Sequence, residues 1–172
     1  MKRRDLHLGL LAMLAGRVVP ASGVVLPGWS REPARWLNGA PLEADAIAGR
    51  PVLIEFWTYG CSNCRNTLPW VKSAYARFSP RGLVLVGVHT PEFPAERDPR
   101  NVRRALQALG IAYPVLLDPD EVYWTALANH YWPAFHLFDR DHRLVTTRIG
   151  ELHVGQPGAD SFARAIEQQL AR

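Results

Sequence analysis

The chain has 172 residues, 48% of them hydrophobic and 21% charged, with a formal net charge of +4, the profile of a single globular domain with an ample core. Most of that charge falls in residues 1–21, where Lys2, Arg3, Arg4 and Arg17 face only Asp5; the rest is nearly neutral and offers no electrostatic footprint for nucleic acid or an anionic membrane. A count of two cysteines excludes a disulfide-stapled scaffold and a cysteine-rich metal site.

Residues 1–21 read as a signal peptide rather than as part of the fold. Lys2-Arg3-Arg4 is a positive n-region, Leu6 to Ala15 a short apolar h-region, and Val19-Pro20-Ala21 a site for a signal peptidase. Arg3-Arg4-Asp5-Leu6 is similar to an incomplete twin-arginine signal. An apolar stretch of roughly ten residues is too short to span a bilayer unaided. Residues 22–35, with Pro27, Gly28 and Pro33, show no period and read as a linker, leaving 36–172 as the domain.

Strands and helices then alternate. Pro51–Trp57 and Leu83–Val88 are nearly continuous apolar runs, suited to strands buried on both faces. Between them Leu68, Val71, Ala74, Tyr75 and Phe78 recur at helical spacing, so a helix over 64–78 completes a βαβ unit. A second helix is predicted over 99–109 with Gly110 as its stop, then a short strand within 113–118 and a short helix over 121–128. Strands over 134–138 and 143–149 flank Asp139-Arg140-Asp141-His142 as a hairpin, and an amphipathic helix over 159–170 closes the chain.

Cys61-Ser62-Asn63-Cys64 follows a strand and opens a helix, the context that gives a CxxC pair a chemical meaning. Unpaired N–H groups and the positive end of the helix dipole stabilise a thiolate there, and the thiolate is the attacking species in disulfide exchange. Cys61, nearer the helix start, reads as the nucleophile and Cys64, one turn inward, as the resolving thiol. Three other readings compete. A structural disulfide across so short a loop constrains almost no chain entropy. Half of a zinc site needs partners from His89, His130, His136 or His153, none of them at supporting spacing. Incidental core cysteines leave the strand–CxxC–helix placement unexplained.

Four further positions carry weight. Glu55 is an acid inside an apolar strand, expensive to bury unless bonded or protonated. Six residues before Cys61 it reads as a proton relay for Cys64, or else as a solvent-facing residue on a poorly covered strand. Trp132-Pro133 at the start of a strand suggests a cis bond, with an ordinary trans proline as the alternative; a turn of that kind would present backbone to an extended substrate. Trp57 and Tyr59 suggest an apolar rim for partner proteins, with Trp57 equally placed for the core. His89, at a strand's C-terminal end, reads as a surface histidine in preference to a lining residue. Arg97, Arg100, Arg103 and Arg104 read as a solvated helix face.

Phe56-Trp57-Thr58-Tyr59-Gly60-Cys61-Ser62-Asn63-Cys64-Arg65-Asn66-Thr67-Leu68-Pro69 resembles the active-site segment of thioredoxin-like thiol–disulfide oxidoreductases of the TlpA/DipZ (redoxin) type. The resemblance continues through Val86–Phe93, Asn101–Ala105 and Tyr131–Ala134, and so covers residues 36–172. It implies an α/β thioredoxin-like fold with a central mixed sheet flanked by helices on both faces. It also implies redox cysteines at Cys61 and Cys64, a buried acid at Glu55, a cis-proline at Pro133 and a helix-kinking proline at Pro69. Ser62 and Asn63 depart from the residues commonest in relatives, and Thr67 stands where reductases of cytochrome maturation often carry an acid.

The sequence is therefore read as an exported enzyme that exchanges disulfides with partner proteins, more as reductant than oxidant. Cys61, Cys64 and Glu55 do the chemistry, and Trp132, Pro133 and Tyr59 meet the substrate. No metal or cofactor is expected, and electrons would come from a membrane-bound thiol donor to a monomer. The rivals are a thiol peroxidase and a non-enzymatic metal-binding assembly factor.

Overall fold

The computed structural model describes residues 23–172, so the expected signal peptide lies outside the described residues. Six strands form one sheet in the order β1-β4-β3-β2-β5-β6. They are β1 (Trp36–Leu37), β2 (Val52–Trp57), β3 (Val84–His89), β4 (Val115–Leu117), β5 (Ala134–Phe138) and β6 (Leu144–Ile149). The inner strands β4, β3 and β2 run parallel, while β1, β5 and β6 join antiparallel. The expected mixed sheet is borne out.

β2 lies between β3 and β5, and its six residues are all buried. Strand alternation splits them between two cores. Leu53 and Trp57 face a cluster with Leu68, Val71 and Phe78 of α2 (Ser62–Phe78), Val102 and Leu106 of α3 (Pro99–Leu109), and Phe162 and Ile166 of α5 (Pro157–Leu170). Val52, Ile54 and Phe56 face a second cluster with Ile47 of α1 (Ala44–Ile47) and Tyr123 of α4 (Val122–Ala126). Helices cover both faces of the sheet, as expected. Gly110 closes α3 in the left-handed conformation, at φ 60°, and Pro69 lies inside α2.

The expected linker is corrected in part. Val24, Leu26 and Trp29 pack on the second core, Val25 bridges Arg143 beside β6, and the Tyr123 hydroxyl donates to Gly28 O at 2.9 Å. Trp29 stacks on Tyr123. Scattered apolar residues without a period are what an irregular segment needs to cover a sheet face, and such a segment is hard to tell from a linker by pattern alone.

Candidate active site

The dithiol sits where β2 hands over to α2. Cys61 is the N-cap of α2, in extended conformation, and its Sγ accepts the Cys64 backbone N–H at 3.2 Å. The helix thus begins two residues before its apolar period, because a sulfur takes one of the first-turn amides. Both cysteines are free thiols, Cys61 partly exposed and Cys64 buried. Burial first, and hydrogen bonding to Cys61 second, push the Cys64 thiol well above its ordinary pKa. The pair is asymmetric: one sulfur reaches solvent at a positively polarised helix start, and its neighbour is held neutral beneath it.

The loop into Cys61 is pinned at nearly every residue. Trp57 O accepts from Thr90 N at 3.2 Å, and Thr58 O from Cys61 N at 3.3 Å. Arg65 reaches back from α2 to the carbonyls of Tyr59 and Gly60, at 2.7 and 3.1 Å. Gly60 N donates to the buried carboxylate of Glu96 at 2.7 Å. A Cβ on Gly60 would meet that oxygen, so a side chain there displaces the Glu96 carboxylate. The other Glu96 oxygen accepts from Glu92 N and Phe93 N, at 2.7 and 2.9 Å. Burial opposes the charge of Glu96, but hydrogen bonds from Thr58 and these amides outweigh it and hold its pKa below the usual value. Nothing in its local sequence marked Glu96, whose partner Gly60 lies 36 residues away.

Below the dithiol, Glu55 is fully buried, and its Oε2 accepts the Tyr113 hydroxyl at 2.9 Å. Its Oε1 has no hydrogen-bond partner among the described residues. Burial raises its pKa to about 8, with the Tyr113 bond pulling the other way. The solvent-facing alternative for Glu55 does not hold. By strand alternation Glu55 lies on the same face of β2 as Leu53 and Trp57, which pack in one cluster with Cys64, and its charge adds to the rise of the Cys64 thiol.

Trp57 is core, 1% exposed, rather than rim. Tyr59 is partly buried and stacks on His89, with centroids 5.7 Å apart. The surface reading of His89 is corrected: it is 1% exposed, with Nε2 3.3 Å from Thr58 Oγ1 and Trp57 edge-on at 5.1 Å. β3 is central, so even its last residue has a strand on either side, with Tyr59 as a lid. Burial lowers the His89 pKa to about 4 and keeps the ring neutral. The arginines of α3, Arg100, Arg103 and Arg104, are exposed as expected, and so is Arg97 just ahead of them.

The Trp132–Pro133 bond is cis. Pro133 directly precedes β5, whose Ala134 pairs with Phe56 of β2, so it sits beside the strand end that feeds the dithiol. Trp132 packs against Trp124 with ring centroids 4.4 Å apart and planes tilted by 37°, and lies partly buried on the core that Tyr59 and Cys61 also touch. Among the described residues, no backbone group bonds to the Trp132 N–H or C=O.

The AhpC/TSA family model matches residues 30–146, more than half of the chain. The chain belongs to the AhpC/TSA family. Protein DipZ of Mycobacterium bovis is 40% identical over 119 residues, covering 67% of this chain and 17% of that protein; the chain spans about a sixth of the DipZ length. The thiol-disulfide oxidoreductase YkuV of Bacillus subtilis is 27% identical over 136 residues, which cover 79% of this chain and 88% of YkuV. A solved thioredoxin-like protein in its oxidised form superposes with a TM-score of 0.70 at 25% identity, across 87% of this chain and 98% of that one. The kinship with redoxins and the thioredoxin-like fold that the resemblance implied are borne out. Among the described residues, no three His, Cys, Asp or Glu side chains come together as a metal site.

Proposed function

We propose that this AhpC/TSA member is an extracytoplasmic reductase of protein disulfides, working as a monomer through Cys61 and Cys64. One observation carries the reading: a partly exposed sulfur caps a helix and accepts an amide N–H, while the second sulfur, one turn on, is buried and held as a thiol. The Cys61 thiolate attacks a substrate disulfide. A bond forms between Cys61 Sγ and one substrate sulfur, and the other substrate sulfur leaves as a thiolate. Cys64 then gives its proton to Glu55 and attacks Cys61 Sγ. The Cys61–Cys64 bond forms, the mixed disulfide breaks, and the second substrate sulfur leaves. The substrate gains two electrons and the protein loses two.

The cis turn at Trp132–Pro133 and the ring of Tyr59 meet the substrate beside Cys61. The unpaired backbone groups of Trp132 suit pairing with an extended chain. Holding Cys64 as a thiol withholds the charge stabilisation of the reduced state that makes an oxidant, which favours the reducing direction. The charged and apolar pattern of residues 1–21 supports export. An exported reductase needs electrons delivered through the membrane, hence a membrane-bound thiol donor. Among the described residues, no helix is long and apolar enough to cross a membrane.

Insulin reduction tests the mechanism. Cys61→Ser lowers turnover to the uncatalysed background, and Cys64→Ser accumulates mixed disulfides that dissolve in reductant. Full activity of Cys61→Ser overturns the mechanism. Cys61-dependent consumption of peroxide, with protein disulfides left untouched, would favour the thiol peroxidase instead.

A further inference from the structure

Tyr113 and Glu55 stand on opposite sides of β3, since the sheet order places β3 between β4 and β2. In the register, Glu55 pairs with Gly87, and Gly87 pairs with Val115, two residues after Tyr113. Gly87 is the gap that joins them. A Cβ there would lie 3.0 Å from Tyr113 Cε2 and 2.9 Å from Trp57 Nε1, so both rings lie over the bare backbone of Gly87. Through that gap the Tyr113 hydroxyl crosses a whole strand to reach Glu55 Oε2 at 2.9 Å. The ring is fully buried and meets Tyr75 of α2 edge-on at 5.8 Å. With Oε2 engaged, Oε1 is the unpaired acceptor in the layer that holds Cys64.

We propose that Tyr113 is a positioning residue of the exchange reaction, its hydroxyl holding one oxygen of Glu55 so that the other is free to take the Cys64 proton. The proposal rests on the reading of Glu55 as that proton acceptor. Gly87 belongs to the same device, because any side chain there displaces the Tyr113 ring. Tyr113 is the titratable group that bears on Glu55, and Glu55 in turn raises the Cys64 thiol; β3 and β5 face Glu55 with Gly87 and Phe135. A hydrogen bond donated to a carboxylate favours its charged form, so removing Tyr113 Oη makes Glu55 hold its proton more firmly.

The test uses the full chain carrying a mixed disulfide between Cys61 and 5-thio-2-nitrobenzoate. Attack by Cys64 releases the coloured thiolate, and its rate is followed from pH 5 to 9. Glu55→Gln should abolish the dependence on the carboxyl. Tyr113→Phe keeps the ring and should raise the pH of half-maximal rate by about one unit, with a several-fold slower rate at pH 7. Gly87→Ala should move the profile the same way. The double variant Tyr113→Phe/Glu55→Gln should match Glu55→Gln alone. An unchanged profile in Glu55→Gln removes the Glu55 reading and this proposal with it. A shift in Glu55→Gln without one in Tyr113→Phe or Gly87→Ala leaves Glu55 standing and overturns the role of Tyr113. So does equal slowing by Tyr113→Phe in both backgrounds, which marks a structural effect alone.

Discussion

Two buried titratable groups on opposite faces of the sheet, His136 and Glu55, are satisfied to different degrees. On the face away from the dithiol, the buried ring of His136 on β5 is satisfied at both nitrogens: Nε2 lies 3.3 Å from Asn129 Oδ1 and Nδ1 3.2 Å from Thr147 Oγ1. Its pKa falls to about 4 through burial, so it is a neutral, fully partnered packing element. On the dithiol face, Glu55 is buried as deeply but keeps one oxygen unpaired, and its pKa rises to about 8. A buried polar group left half-satisfied weakens the fold, so its presence calls for an explanation. The contrast sets a packing group beside the group proposed to move a proton, within one strand's thickness.

The largest expected effect breaks the scaffold face alone. Phe56, fully buried and edge-on to Trp124 and His136 at 5.6 and 5.4 Å, should cost about 3–5 kcal/mol as Phe56→Ala. Urea unfolding reads the loss, and thiol exchange by the protein that remains folded should keep its pH profile. A moved profile would show that the faces are not independent.

The next prediction concerns pH. Glu55 is raised from 4.5 to about 8, so between those values the folded state binds the extra proton and stability falls as pH rises. His89 and His136 are lowered from 6.5 to about 4, so between those values the unfolded state binds more protons and stability rises with pH. The reduced protein should therefore be most stable near pH 6.5. From there to pH 8 it should lose up to about 1.4 kcal/mol per unit. Glu55→Gln should flatten that descent, gaining about 2 kcal/mol at pH 8 while slowing the Cys64 step. An unaltered slope, followed by thermal unfolding in reductant, would mean that Glu55 is not the group titrating.

The smallest effect sharpens the dithiol side. Thr67 is buried, and its Oγ1 accepts Leu152 N at 3.1 Å, tying α2 to the segment before α5. Thr67→Val should cost about 1 kcal/mol in unfolding experiments and leave exchange chemistry intact. A changed Cys61–Cys64 potential in that variant would give Thr67 a part in the redox site.

What was legible follows from the range of each interaction. Cys61 and Cys64 are contiguous with the strand and the helix that place them, and the apolar periods of β2, β3 and α2 mark that junction directly. Glu55 was visible as one acid in an apolar run. Tyr113 was not, because its partner lies 58 residues away and its reach depends on a glycine in the strand between. Glu96 stood in a polar, proline-flanked turn where one more acid carries no signal. His89 was misread because a strand end looks exposed until Tyr59 covers it.

By itself, the sequence determined the alternation of elements and the βαβ unit with sulfurs at its helix start, since each depends on residues close in the chain. The three-dimensional fold alone decided which buried groups are paired. It set Tyr113 on Glu55 across Gly87, Glu96 on Gly60, and His89 beneath Tyr59. Hydrogen-bond satisfaction and desolvation are properties of neighbours in space, and strand order, which local pattern does not encode, chooses those neighbours.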